Sequence, residues 1–217
     1  GSSTVVVNAI PTIVLNTGNN TQNTCMSSGG TATITNIEYT LGGSATDATV
    51  TGLPMGLTYS TSGTTFTIEG NATETGTFNY TVSTIGQTAP CLEATASGTL
   101  VIYNPIAGTV TPGDVSTPGG SDGTISISGV NGGSGATIEY RIAGDAVRGY
   151  DASLTGFSAG TYQVYAKNPL ENCEYYLGDV IINEPGAISG TETHEDVKCF
   201  GDATGSITAQ VTTGGTA

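Results

Sequence analysis

Residues 113–133 read GDVSTPGGSDGTISISGVNGG, and residues 195–215 read EDVKCFGDATGSITAQVTTGG. The two stretches align without a gap at an offset of 82. Asp114 falls on Asp196, Val115 on Val197, Gly119 on Gly201, Gly123 on Gly205 and Ile125 on Ile207. The doublet Gly132-Gly133 falls on Gly214-Gly215. Self-similarity at a fixed period marks a repeat architecture. One repeat therefore starts near residue 105 and another near 186.

A second echo extends the pattern backwards. Gly76-Thr77-Phe78-Asn79-Tyr80-Thr81-Val82 is matched by Gly160-Thr161-Tyr162-Gln163-Val164-Tyr165-Ala166. Both alternate apolar and polar residues with the period of two that belongs to a half-buried strand. A loop with a cysteine follows each, Cys91 in the first and Cys173 in the second. Each module then closes on an apolar strand and a proline: Leu100–Tyr103 before Pro105, and Val180–Ile182 before Pro185. Proline cannot donate to a strand ladder, so it marks the exit.

Further strands are expected at Thr12–Leu15, Thr31–Leu41, Ala48–Thr51, Thr64–Glu69, Phe78–Thr84 and Ala94–Tyr103. In the second module they fall at Thr124–Val130, Ile138–Ile142, Tyr162–Lys167 and Tyr175–Asn183. Gly, Asn, Asp and Pro clusters separate them, as in a β-sandwich. The predicted fold is all-β, with tandem immunoglobulin-like β-sandwich modules end to end. The modules are 1–103, 104–185 and 186–217, the last being the truncated start of a third. The start Gly1-Ser2-Ser3 and the end Gly214-Gly215-Thr216-Ala217 are read as those of an excised fragment, with export signals outside it.

Composition narrows the function. The 217 residues include 33 glycines, no tryptophan and one histidine, His194. Four Lys and Arg stand against 18 Asp and Glu, a net charge of −14. Four cations are too few to replace phosphate counterions, which excludes nucleic acid as a partner. The same charge opposes docking to an anionic membrane, and no apolar run reaches the roughly 20 residues of a membrane helix. Direct membrane insertion is not expected.

No catalytic constellation emerges. The glycine doublets lack the Lys-Ser/Thr and helix start of a phosphate loop. A reactive cysteine needs a basic environment and usually a histidine; His194 lies five residues from Cys199, but in a flexible truncated segment. The chain is read as a non-enzyme without a resident cofactor. Ca²⁺ is the one metal considered: Glu184, Glu192, Glu195 and Asp196 cluster at the second junction. They are candidate ligands, or else a solvated acidic loop. Tyr140, Arg141, Arg148 and Tyr150 flank a Gly/Ala/Asp loop. Exposed aromatics and arginines contact sugars or protein partners; the alternative is strand packing beside a solubilising loop.

The repeat alignment also sets expectations for the four cysteines. Cys25 and Cys199 occupy early slots, and Cys91 and Cys173 late ones. Module one fills both slots, which predicts a Cys25–Cys91 disulfide worth about 4 kcal/mol in the chain-entropy treatment. Thr117 stands in the early slot of module two, so Cys173 is left without a partner in its own module. Pairing of Cys173 with Cys199 across the junction is one option, opposed by the full strand between them; free thiols are the other.

Two resemblances rest on these residues. Gly52-Leu53-Pro54-Met55-Gly56-Leu57, then Ile68-Glu69-Gly70-Asn71-Ala72-Thr73, then Gly76–Val82 resemble the immunoglobulin-like repeats of bacterial surface proteins. Ala72 stands where that pattern has proline. Asp196-Val197-Lys198-Cys199-Phe200-Gly201 with Gly205-Ser206-Ile207 and Gly214-Gly215-Thr216 resembles the SprB repeat of gliding flavobacteria. In module two Asp122–Ile125, Ala159–Tyr162, Asn172-Cys173 and Glu184-Pro185 carry the same likeness, and Thr117 departs from it. The resemblance implies a structural repeat segment of a very large adhesin on the bacterial outer surface, exported by the type IX system and moved by the gliding machinery. Its partners would be neighbouring repeats of the chain and surface polysaccharide or other glycans. In that role stiff modules project a distal tip and a disulfide resists unfolding under load. The alternatives are an adhesive module that itself binds a glycan or protein, and an accessory module of a surface hydrolase.

Overall fold

Strands that alternate Phe, Tyr, Val and Ile with Thr, Ser and Asn can bury one face only by packing on another sheet. The computed structural model shows this arrangement over residues 5, 7–87, 89–133, 137–144, 154–171 and 173–214, which are those it describes. The chain is all-β, and the described residues contain no helix. They fall into two compact units.

The first unit comprises Gly1–Ile106 with Gly132–Ile138 and Lys167–Tyr175. Its strands are β1 (Thr12–Thr17), β2 (Thr21–Cys25), β3 (Ala32–Thr33), β4 (Ile37–Gly42) and β5 (Asp47–Thr51), followed by β6 (Leu57–Ser62), β7 (Thr65–Ala72), β8 (Gly76–Ile85) and β9 (Thr95–Tyr103). One sheet has the order β1-β4-β7-β3, with β6 also on β7; the other has the order β2-β9-β8-β5. Ile37, Tyr39, Leu41, Phe66 and Ile68 from the first sheet meet Ala48, Tyr80, Val82 and Leu100 from the second in one core. The unit is therefore a β-sandwich. At its centre the Tyr39 and Tyr80 hydroxyls share a hydrogen bond of 3.0 Å across the sheets. Burial pushes both phenols up, so this pair stays neutral.

The Gly52–Leu57 motif is a turn between β5 and β6. Gly52 has φ +83°, and a β-carbon there would run into the Asn79 carbonyl oxygen. Thr73 N donates to Met55 O at 2.8 Å, and Met55 N to Glu74 Oε1 at 2.8 Å. The turn thus docks against the one after β7. Gly52→Val is expected to destabilise this unit by about 2 kcal/mol or more, seen as a lower urea midpoint.

The second unit comprises Ala107–Asn131, Glu139–Ala166 and Tyr176–Ala217. The remaining strands are β10 (Ala107–Gly113), β11 (Gly123–Asn131), β12 (Glu139–Ile142), β13 (Thr155–Phe157), β14 (Gly160–Asn168) and β15 (Cys173–Ile182), then β16 (Ser189–Glu195) and β17 (Ser206–Thr213). The sheets are β10-β11-β13, β12-β14-β15 and the hairpin β16-β17. Ile125 and Phe157 of the first sheet pack with Ile142, Val164, Val180 and Ile182 of the second, again as a sandwich. The 82-residue offset carries Ala107 onto Ser189 and Gly113 onto Glu195, the two ends of β16.

Some strands differ from the sequence reading. The span 31–41 is two strands, β3 and β4, because Ile34-Thr35-Asn36 leaves the ladder. β2, β6, β10 and β13 were not expected, and no strand was placed where β16 and β17 lie. Thr21-Gln22-Asn23-Thr24-Cys25 has no apolar alternation, and β2 forms by pairing in parallel with β9 at a sheet edge.

The disulfide and the candidate contact residues

β2 pairs in parallel with β9, and its register sets Cys25 beside Tyr103 at the last residue of that strand. Met26 N continues the pairing by donating to Tyr103 O at 3.1 Å. Cys173 opens β15 and is buried. The connection before it is fixed by Asn168, whose buried side chain accepts from Leu170 N at 3.0 Å while its carbonyl accepts from Glu171 N at 3.2 Å. This Asx-type turn delivers Cys173 to Cys25. The two form a disulfide with a Cα–Cα distance of 5.7 Å, well inside the range such bonds require.

The expected Cys25–Cys91 pair is thus corrected to Cys25–Cys173, with Cys91 and Cys199 as free thiols. Strand direction is the reason. Cys91 precedes Thr95 at the start of β9, whereas Cys25 lies beside its end. Nine residues of strand separate the two ends by about 27 Å, far beyond a disulfide's reach. Cys91 instead sits near Ala9 O, 3.9 Å from its sulfur.

Beside the disulfide, both carboxylate oxygens of Glu171 and the Tyr175 hydroxyl are buried without a hydrogen-bond partner. Burial, and the Glu171 charge next to it, push the Tyr175 phenol up. A buried polar group without a partner costs stability. Glu171→Gln is therefore expected to raise the melting temperature of the first unit, with a gain of about 1 kcal/mol. A lowered melting temperature would show that the carboxylate is paired.

The Ca²⁺ candidates are not gathered. Glu184 Oε2 accepts from Gly119 N at 2.7 Å. Glu192, Glu195 and Asp196 are exposed, with His194 Nε2 3.8 Å from Asp196 Oδ1. Among the described residues no three Asp, Glu, His or Cys side chains come together as a metal requires.

Of the four contact candidates, Arg148 and Tyr150 lie outside the described residues. Tyr140 is half-buried against the second core, which pushes its phenol up. Arg141 stands over the Tyr165 ring, with Cζ 4.5 Å from the centroid. Tyr165 packs in turn on Tyr176 at 5.4 Å, and Tyr176 donates to Asp179 Oδ1 at 2.6 Å. The sequence reading missed Tyr165 and Tyr176. The signal was available as Tyr165 on β14 and Tyr176 on β15, neighbouring strands of one sheet.

No family model and no curated protein matches the chain. Solved structures are similar to it only at low identity. A three-immunoglobulin-domain fragment of titin matches at 10% identity and a TM-score of 0.41, covering 94% of this chain and 77% of that one. The tandem immunoglobulin repeats of Dlar match at 14% identity and a TM-score of 0.32, covering 82% of this chain and 100% of that one. The protocadherin gammaB4 extracellular domain matches at 12% identity and a TM-score of 0.37, covering 85% of this chain and 35% of that one. The chain spans between a third and about half of the length of the protocadherins it matches. Likenesses this distant assign no ligand, partner or activity.

Proposed function

We propose that this chain is a non-catalytic structural repeat segment of a secreted bacterial surface adhesin, of the SprB-like kind that supports attachment and gliding. Its modules are 1–103, 104–185 and the start of a third at 186. The observation that carries the reading is the recurrence of one structural unit at the 82-residue offset. Val115 and Ile125 are 3% and 6% exposed in the second core, while their counterparts Val197 and Ile207 on the β16–β17 segment are 53% and 76% exposed. The hairpin has the strands and apolar residues of a repeat, and among the described residues no second sheet covers them as in its predecessor. Repeats of this kind supply length and stiffness rather than chemistry. Export by the type IX system and an outer-surface location follow from the same reading.

A second reading is favoured by the Arg141–Tyr165–Tyr176 stack, in which Tyr176 remains 52% exposed. Aromatic faces and arginine suit a glycan or protein contact. A glycan array and a cell-adhesion assay with this chain separate the two. A structural segment gives no reproducible binding. Binding that is lost on substitution of Arg148, Tyr150 or Tyr176 would replace the structural reading with the adhesive one.

A further inference from the structure

The disulfide joins residues 148 positions apart, one near the start of the chain and one at the start of β15. We propose that Cys25–Cys173 is a covalent bypass for tension, carrying it past residues 26–172 and so shielding the part of the first core that lies on β4 to β9. A pull on the two chain ends follows the shortest covalent path. That path runs along residues 1–25, through the sulfur–sulfur bond, and out along 173–217. Everything between the two cysteines hangs from it as a closed loop. The loop contains β3 to β9, hence Tyr39, Phe66, Ile68, Tyr80, Val82 and Leu100, the centre of the first core. It also contains β10 to β14.

Among the described residues, β1, β2, β15, β16 and β17 remain in the force path. β2 is tied to β9 by its parallel register up to Cys25, the residue at which tension leaves the strand. The bond is placed where one residue more of β2 would put Met26, which packs with Ala32, Ala72 and Ile102, under load. The sulfurs are protected on one side, since Cys173 is buried. A pairing of Cys25 with Cys91 would enclose only residues 26–90 and leave β9 to β14, with Leu100, in the path, so the full bypass belongs to the observed connectivity. The inference concerns how the chain bears tension and holds whether or not the chain also binds a ligand.

The test is single-molecule stretching of the whole chain, held by its two ends, before and after reduction. The oxidised chain is expected to release less length than the reduced chain by about 490–530 Å, the extended span of 148 residues. Cys25→Ser should give the long trace without reductant, and Cys91→Ser the short one. If Cys25→Ser fails to fold, reducing the folded wild-type chain in the stretching chamber makes the same comparison. Equal lengths before and after reduction would overturn the bypass. So would a short trace that becomes long in Cys91→Ser.

Discussion

Cys25→Ser is expected to destabilise the first unit by several kcal/mol, while Cys91→Ser changes it by less than about 0.5 kcal/mol. Closing 148 residues corresponds to about 5 kcal/mol of lost chain entropy in the unfolded state. Removal of native disulfides typically costs 2–5 kcal/mol. The two cysteines differ because Cys25 is bonded and Cys91 is a free, half-buried thiol. The measurement is urea unfolding of wild type and both variants without reductant, followed by tyrosine fluorescence. Adding reductant should bring the wild type down to Cys25→Ser and leave Cys25→Ser where it is. Equal losses in the two variants would restore the Cys25–Cys91 pairing that the repeat alignment suggests.

Phe66→Ala is expected to cost about 3–5 kcal/mol, among the largest effects available without touching the disulfide. Phe66 is fully buried on β7 and sits in the first core with Ile37, Tyr39, Ile68 and Tyr80. Tyr59 lies against its ring at 5.5 Å. The side chain is held from both sheets, so its removal leaves a cavity that the strands cannot close without breaking their register. Tyr80→Phe makes a useful scale. It keeps the ring and removes only the hydroxyl bonded to Tyr39, and should cost about 1–3 kcal/mol. A loss for Phe66→Ala no larger than that for Tyr80→Phe would mean that the core is loosely packed.

The parts of this fold that were legible are those written in side-chain period. Phe78, Tyr80 and Val82 alternate with threonine and asparagine, and β8 follows them. β10 and β16, which no apolar period marks, start and end 82 residues apart. What was hidden depends on pairing rather than period. β2 carries no apolar pattern and exists because β9 offers it an edge. Its parallel direction then decides which cysteine Cys25 can reach, and no spacing along the chain records direction. Of the residues proposed for contact, Arg141 lies on a sheet with an aromatic neighbour, but that neighbour is Tyr165 from β14. Glu184 and the later acids are near in sequence, yet Glu184 is taken up by the backbone of Gly119.

The structural role itself is tested most directly by replacing these 217 residues in the native gene with an unrelated tandem β-module spacer of equal length. Adhesion and gliding of the source cells are then measured, with surface display of the protein verified by antibody. A structural segment predicts that both persist at the wild-type level. Loss of adhesion in cells that still display the spacer-bearing protein would contradict it, and would place a binding function in this chain.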